Sequence, residues 1–168
     1  MINKIEVFEN CKKNLDRDRT IATGVGIFAR IRKGNTFLTR RRTETNSLYE
    51  TDLSGKWELP GGGVEIFDFA EEYQSAIISN LKRELMEEVG LGLISEKLNI
   101  ILIPAWLGKG GLIDLAFVID IPEYAIVITP EYEKLLEIKA IRWTSLQELK
   151  ELEFISKRMK FLALKGIL

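Results

Sequence analysis

The feature that most constrains this chain is a single amphipathic helix, written in "FAEEYQSAIISNLKRELMEEVG" over residues 69–90. At about 100° per residue, Ile78, Leu81, Leu85 and Val89 fall within about 40° of one line, so the segment Phe69–Val89 presents one apolar stripe to a core. Asp68 suits the N-cap, with Glu71 three residues on, and Gly90 suits the C-cap. Beside the stripe, Glu84, Glu87 and Glu88 are spaced i, i+3, i+4 and share a flank. Like charges placed so repel, by a few tenths of a kcal/mol per pair in an isolated helix. Either water screens them or a cation sits among them. Taken alone, such a flank is more often a solvated face than a metal site.

The rest of the chain supplies strands for that stripe to cover. Residues 20–31 read as a strand, 33–35 as a turn and 36–42 as the returning hairpin partner. A polar loop (43–55) leads to a short strand, 56–60, ended by Pro60. The glycine run 61–68 reads as a loop. Residues 99–107 and 112–120 read as strands joined by "GKGG", 124–128 as a further short strand and 138–144 as another. Ser145 and Glu148 form a capping-box pattern opening a helix over 145–152, and an amphipathic helix closes the chain. Residues 1–19 are polar and read as an arm. With no repeat or linker, residues 1–168 read as one domain, an α/β sandwich with a mixed central sheet.

Composition narrows the chemistry. There are 168 residues and no histidine, which excludes Ser-His-Asp and Cys-His nucleophiles and histidine zinc sites. One cysteine, Cys11, can form no internal disulfide, which suits a reducing interior such as the cytoplasm. Any metal must be held by oxygen, favouring Mg²⁺, Mn²⁺ or Ca²⁺. A net charge of −1 offers no extended positive field for a long nucleic acid. No apolar run approaches a membrane span, and the N-terminus lacks a signal-peptide core.

Just upstream of the helix lies "LPGGGVE". Successive glycines let backbone approach a ligand closely and free carbonyls for coordination. A glycine loop, a carboxylate cluster and a helix together point to phosphoryl chemistry assisted by a metal. "GGGVEIFD" followed by "RELMEEVGL" resembles the Nudix hydrolase box, and its second half fits at every position: Arg83, Glu84, Leu85, Glu87, Glu88, Gly90 and Leu91. "WELPGGG" before the box and "EIKAIRWTSLQEL" after it extend the likeness over most of residues 20–152.

The resemblance implies an α/β/α sandwich and a metal-dependent hydrolase that cleaves a nucleoside diphosphate linked to another moiety. It implies that Glu84, Glu87 and Glu88 bind Mg²⁺ (or Mn²⁺) with a backbone carbonyl of Gly62 or Gly63, and that Arg83 orients the glutamates. Glu84 and Arg83 would be catalytic, joined by Glu137 from the stretch of Glu131, Glu133 and Glu137, where family members often place a mobile acidic loop. Arg40, Arg42, Trp57, Gly61 and Gly62 are candidates for holding substrate. Arg40 and Arg42 share a strand face and could contact a substrate phosphate, although ordinary exposed strand charges are the commoner reading, and Trp57 could stack on a base or pack in the core. The implied partner is a small nucleotide-type molecule, with no long nucleic acid, no membrane and room for a homodimer. Pro104 hints at the ADP-ribose subgroup. The alternatives are a non-catalytic Nudix-like nucleotide sensor, against which the intact glutamates speak, and an isomerase-type relative.

The chain departs from the box in one place. Counting forward from Gly62 puts the first box glutamate at Asp68, while counting back from Arg83 puts it at Ser75, so seven residues are inserted. Asp68, Glu71 and Glu72 are candidates to replace it. Seven residues fall only about 20° short of two helical turns, so the insertion is expected to lengthen the helix at its N-terminus, with residues 64–70 returning as extended chain along the cleft.

Overall fold

Strand β1 (Gly24–Lys33) organises the molecule, because three other strands bond to it. Along one edge runs β7 (Ile113–Pro122) in parallel, itself flanked by antiparallel β6 (Asn99–Ile103). The other edge is shared. A tight turn returns the chain as β2 (Thr36–Arg41), paired through Arg32↔Phe37 and Lys33↔Thr36. β2 then diverges to pair with β3 (Trp57–Glu58) and β9 (Ile141–Ser145). The edge of β1 left open is filled by β4 (Gly61–Gly63), in the register Ile27↔Gly62. This computed structural model describes residues 24–42, 53–63, 73–94, 99–103 and 113–165. Among them the sheet has seven strands, and β5 (Leu91–Leu93) with β8 (Ile126–Ile128) forms a second, small sheet.

Both faces of the large sheet are covered, as the alternation along β1 requires. Ile27, Ala29 and Ile31 pack with Leu81, Leu85 and Val89 of helix α1 (Tyr73–Val89). Phe28 packs on the other face with Leu149 of α3 (Leu146–Glu151) and Met159 and Leu162 of α4 (Lys157–Leu164). The expected stripe is thus the buried face of α1, with Leu81, Leu85 and Val89 fully inaccessible and Ile78 nearly so. Gly90 ends α1 at φ +65, and a Cβ there would lie 2.9 Å from the Glu131 carbonyl carbon, so only glycine lets helix α2 (Pro130–Glu137) pack against this end.

Four expectations change. The glycine run is a strand at Gly61–Gly63, not wholly a loop. The acidic stretch is helix α2, started by Pro130 in its first turn. The short strand expected at 124–128 begins as a 3₁₀ turn, Glu123–Ala125, and β5 was not foreseen. Helix α1 is described from Tyr73, so the helical reading of 73–76 holds. Residues 1–23, 64–72 and 104–112 lie outside the described residues, and with them the arm, Asp68, Glu71, Glu72 and Pro104. The Ser145–Glu148 capping box forms as expected, Glu148 N–H to Ser145 Oγ at 3.2 Å and Ser145 N–H to Glu148 Oε2 at 2.8 Å.

A buried charge lies on the sheet face away from α1. Arg30 is 2% exposed on the α4 side, holding Asp120 through Nε at 2.6 Å and Nη2 at 2.7 Å, and donating to the Lys165 carbonyl. A buried guanidinium stripped of its carboxylate is costly. Asp120→Ala should therefore destabilise the fold by about 2 kcal/mol, less than for a fully buried pair because Asp120 is 40% exposed. Urea unfolding measures it, and a loss below about 0.5 kcal/mol would show that the carbonyl alone satisfies Arg30.

Candidate active site

The glycine strand gives the acidic flank of α1 something to sit on. In β4 the ladder to β1 uses Pro60, whose carbonyl accepts from Ala29 N–H at 2.8 Å, and Gly62, which faces Ile27. Backbone groups alternate in direction along a strand, so those of Gly61 and Gly63 turn away from β1, toward α1. Three residues of α1, one turn apart, meet the three glycines in reverse order. Asn80 Nδ2 donates to the Gly63 carbonyl at 3.1 Å. The Glu84 carboxylate lies where a Gly62 Cβ would be, with Oε2 only 2.6 Å from that position. Glu88 Oε2 accepts from Gly61 N–H at 2.8 Å. The flank can come this close because β4 carries no side chains.

Two arginines balance the carboxylates. Arg83 Nη1 lies 2.8 Å from Glu84 Oε1 and 3.5 Å from Glu87 Oε2. Arg40, from β2, pairs through Nη1 with Glu88 and through Nε with Glu58 Oε1 at 3.3 Å. Arg42 reaches the same Glu58 oxygen at 3.0 Å. Glu58 is 2% exposed and Glu84 is 8% exposed, whereas the Glu87 side chain is 61% exposed. Arg40, Arg83, Glu84 and Glu88 thus come together, with Arg42 one step behind through Glu58.

Four candidates sit differently. Cross-strand partners share a face, so the register Arg40↔Glu58 and Arg41↔Trp57 puts Trp57 on the face opposite the glutamates. There its ring lies under Arg142, 4.5 Å from the guanidinium carbon, and its backbone is tied to Glu153 and Ile155. It anchors the segment after α3 and does not line the glutamate side. The Gly63 carbonyl is held by Asn80, and Gly62 faces Ile27 in the ladder, so Gly61, whose own N–H meets Glu88, is the glycine placed beside the Glu88 contact. Glu137 ends α2 in an exposed position, and among the described residues no hydrogen bond or ion pair joins it to the cluster.

Glu58 and Asn80 were missed. A lone acid inside the short strand "KWELP" was the signal for the first. The second stands four residues before Glu84, on the same flank.

As they stand, no three acidic side chains among the described residues gather closely enough to enclose an ion. The donor chemistry nonetheless fits a hard dication. Glu84 and Glu88 are drawn onto one short strand beside an outward backbone carbonyl, Glu87 is one turn away, and every donor is oxygen.

Comparison with known proteins agrees with this geometry. The family model described as the NUDIX domain matches residues 20–164. A NUDIX hydrolase from Nitrosomonas europaea superposes with TM-score 0.53 at 17% identity, over 82% of this chain and 84% of that one. A bifunctional NMN adenylyltransferase/ADP ribose pyrophosphatase from Francisella tularensis gives TM-score 0.52 at 15% identity, over 96% of this chain but 45% of its own. A mutT/nudix family protein from Listeria innocua gives TM-score 0.50 at 23% identity, over 83% and 88%. At these identities the structures establish the fold alone, and no curated protein matches the sequence. With the domain model spanning β1 to α4 and the glutamate helix laid on its glycine strand, the chain belongs to the Nudix hydrolase family.

Proposed function

We propose that this Nudix hydrolase is a pyrophosphohydrolase dependent on a divalent cation, cleaving the diphosphate linkage of a small nucleoside diphosphate derivative. The observation that carries the reading is the seating of Glu84 and Glu88 on the Gly61–Gly63 strand, with an arginine on each. Mg²⁺ or Mn²⁺, held by Glu84, Glu87, Glu88 and the Gly61 carbonyl, would supply charge neutralisation and a more acidic water. Arg83 fixes the directions of Glu84 and Glu87. Water adds to one phosphorus, the bond from that phosphorus to the bridging oxygen breaks, and two phosphate-bearing fragments leave. Glu137 is our candidate to take the proton from that water. It closes α2 just before Ala140, whose carbonyl accepts from Arg41 N–H at 2.7 Å, at the end of β2 that also carries Arg40.

The neighbouring Francisella enzyme has been seen with AMP and a Mn ion, which supports a nucleotide and a divalent cation for this chain too. No helix among the described residues is long and apolar enough to cross a membrane, and the near-neutral net charge favours a free nucleotide over a long nucleic acid. The test is a panel of nucleoside triphosphates, ADP-ribose, dinucleoside polyphosphates and capped RNA, read by phosphate release with and without Mg²⁺. At least one free nucleotide should be hydrolysed, and EDTA should abolish it. Hydrolysis indifferent to EDTA, or capped RNA outpacing every free nucleotide, would overturn the reading.

A further inference from the structure

Arg40 stands between two carboxylates with different commitments. Glu58 is almost fully buried and is held by Arg42 as well as by Arg40. Glu88 faces the site and has Arg40 as its ion-pair partner among the described residues. Two arginines and two glutamates make this group neutral. Were Glu88 given to a cation, Glu58 would face Arg40 and Arg42 together, leaving one positive charge in excess beside the cation. Arg40 is 21% exposed and rises from a paired strand, so the excess charge is held in place and is not dispersed on a flexible surface side chain.

We propose that Arg40 is a substrate-binding residue released by the metal. In the absence of a cation it occupies Glu88, and when a divalent cation takes Glu88 it turns its guanidinium to a diphosphate oxygen of the substrate. The inference rests on the pyrophosphohydrolase reading and adds to it an order of events, cation before diphosphate. Guanidinium suits the task because its planar fork matches the paired oxygens of a phosphate. Until the cation arrives, the same fork is closed on carboxylates, so the diphosphate site is not yet formed.

The handover predicts two changes of opposite sign, which a general loosening of the site would not give. Calorimetric titration of the full chain should show Arg40→Gln binding Mn²⁺ about fivefold more tightly than wild type, because a competing ion pair is gone. At saturating Mn²⁺ the same variant should bind methylenediphosphonate, a non-hydrolysable probe of the diphosphate alone, at least about tenfold more weakly. If Arg40→Gln does not fold, Arg40→Gln with Glu58→Gln replaces the buried carboxylate that would then rest on Arg42 alone and carries the same two expectations. Mn²⁺ affinity unchanged or weakened in the variant, or probe affinity unchanged, overturns the handover alone. A wild type that binds no Mn²⁺ overturns the metal reading and the handover together.

Discussion

Glu88→Gln should lower kcat about a thousandfold on any substrate the enzyme accepts, with the folded state within about 1 kcal/mol of wild type. Glutamine has the size of glutamate and keeps an oxygen to accept from Gly61 N–H, so the seat on the glycine strand survives. What goes is the negative charge. Without it a dication loses a ligand, and charge on the bridging and leaving oxygens is poorly offset at the transition state. A thousandfold corresponds to about 4 kcal/mol, within what one metal-ligand contact supplies to phosphoryl transfer. Arg40 keeps Glu58 as a partner, so the substitution strands no buried cation. Steady-state rates with Mg²⁺, beside a thermal melt, decide the matter. A variant within threefold of wild type would remove Glu88 from the metal set.

What the sequence revealed and what it hid follow from how local each determinant is. The stripe of Ile78, Leu81, Leu85 and Val89 is periodic within one element, and it is the buried face of α1. The capping box of Ser145 and Glu148 is likewise written in four consecutive residues. The glycine strand was hidden because glycine is a poor strand former, and "GGG" reads as a turn. It becomes a strand because β2 leaves β1 after two residue pairs and exposes an edge, a consequence of pairing far along the chain. Helix α2 was hidden by its charge, although Pro130 at its start was a legible signal. The facing of Trp57 could not be read, since a two-residue strand has no periodicity, and only the register with Arg41 fixes it. The glutamates and Arg83 were legible as a motif. Their pairing with Arg40, and the tie from Asn80 to Gly63, join separate elements and depend on the fold.

The three glycines of β4 should respond to alanine in three different ways, because each meets a different neighbour. Gly61 has φ +134, a conformation that side chains disfavour, and a Cβ there would lie 2.8 Å from Phe28 Cα and still closer to the Ile27 carbonyl oxygen. Backbone of the central strand cannot give way, so Gly61→Ala should lose about 3 kcal/mol of stability or more. Gly62 has no such strain, but its Cβ would enter the Glu84 carboxylate, within 2.6–2.8 Å of its atoms. A side chain can swing where backbone cannot. Gly62→Ala should therefore cost only about 1 kcal/mol of stability, yet lower kcat about a hundredfold by moving Glu84 roughly an ångström from its seat. Around Gly63 a Cβ would meet nothing within 4 Å, so Gly63→Ala should leave activity near wild type and stability within about 0.5 kcal/mol. Urea unfolding and kcat measured together on the three variants separate these outcomes. If Gly62→Ala keeps full activity, the Glu84 carboxylate is not held against the strand during turnover. If it instead unfolds the protein as Gly61→Ala does, the close approach of helix and strand is structural, and the chemistry lies with Glu87 and Glu88.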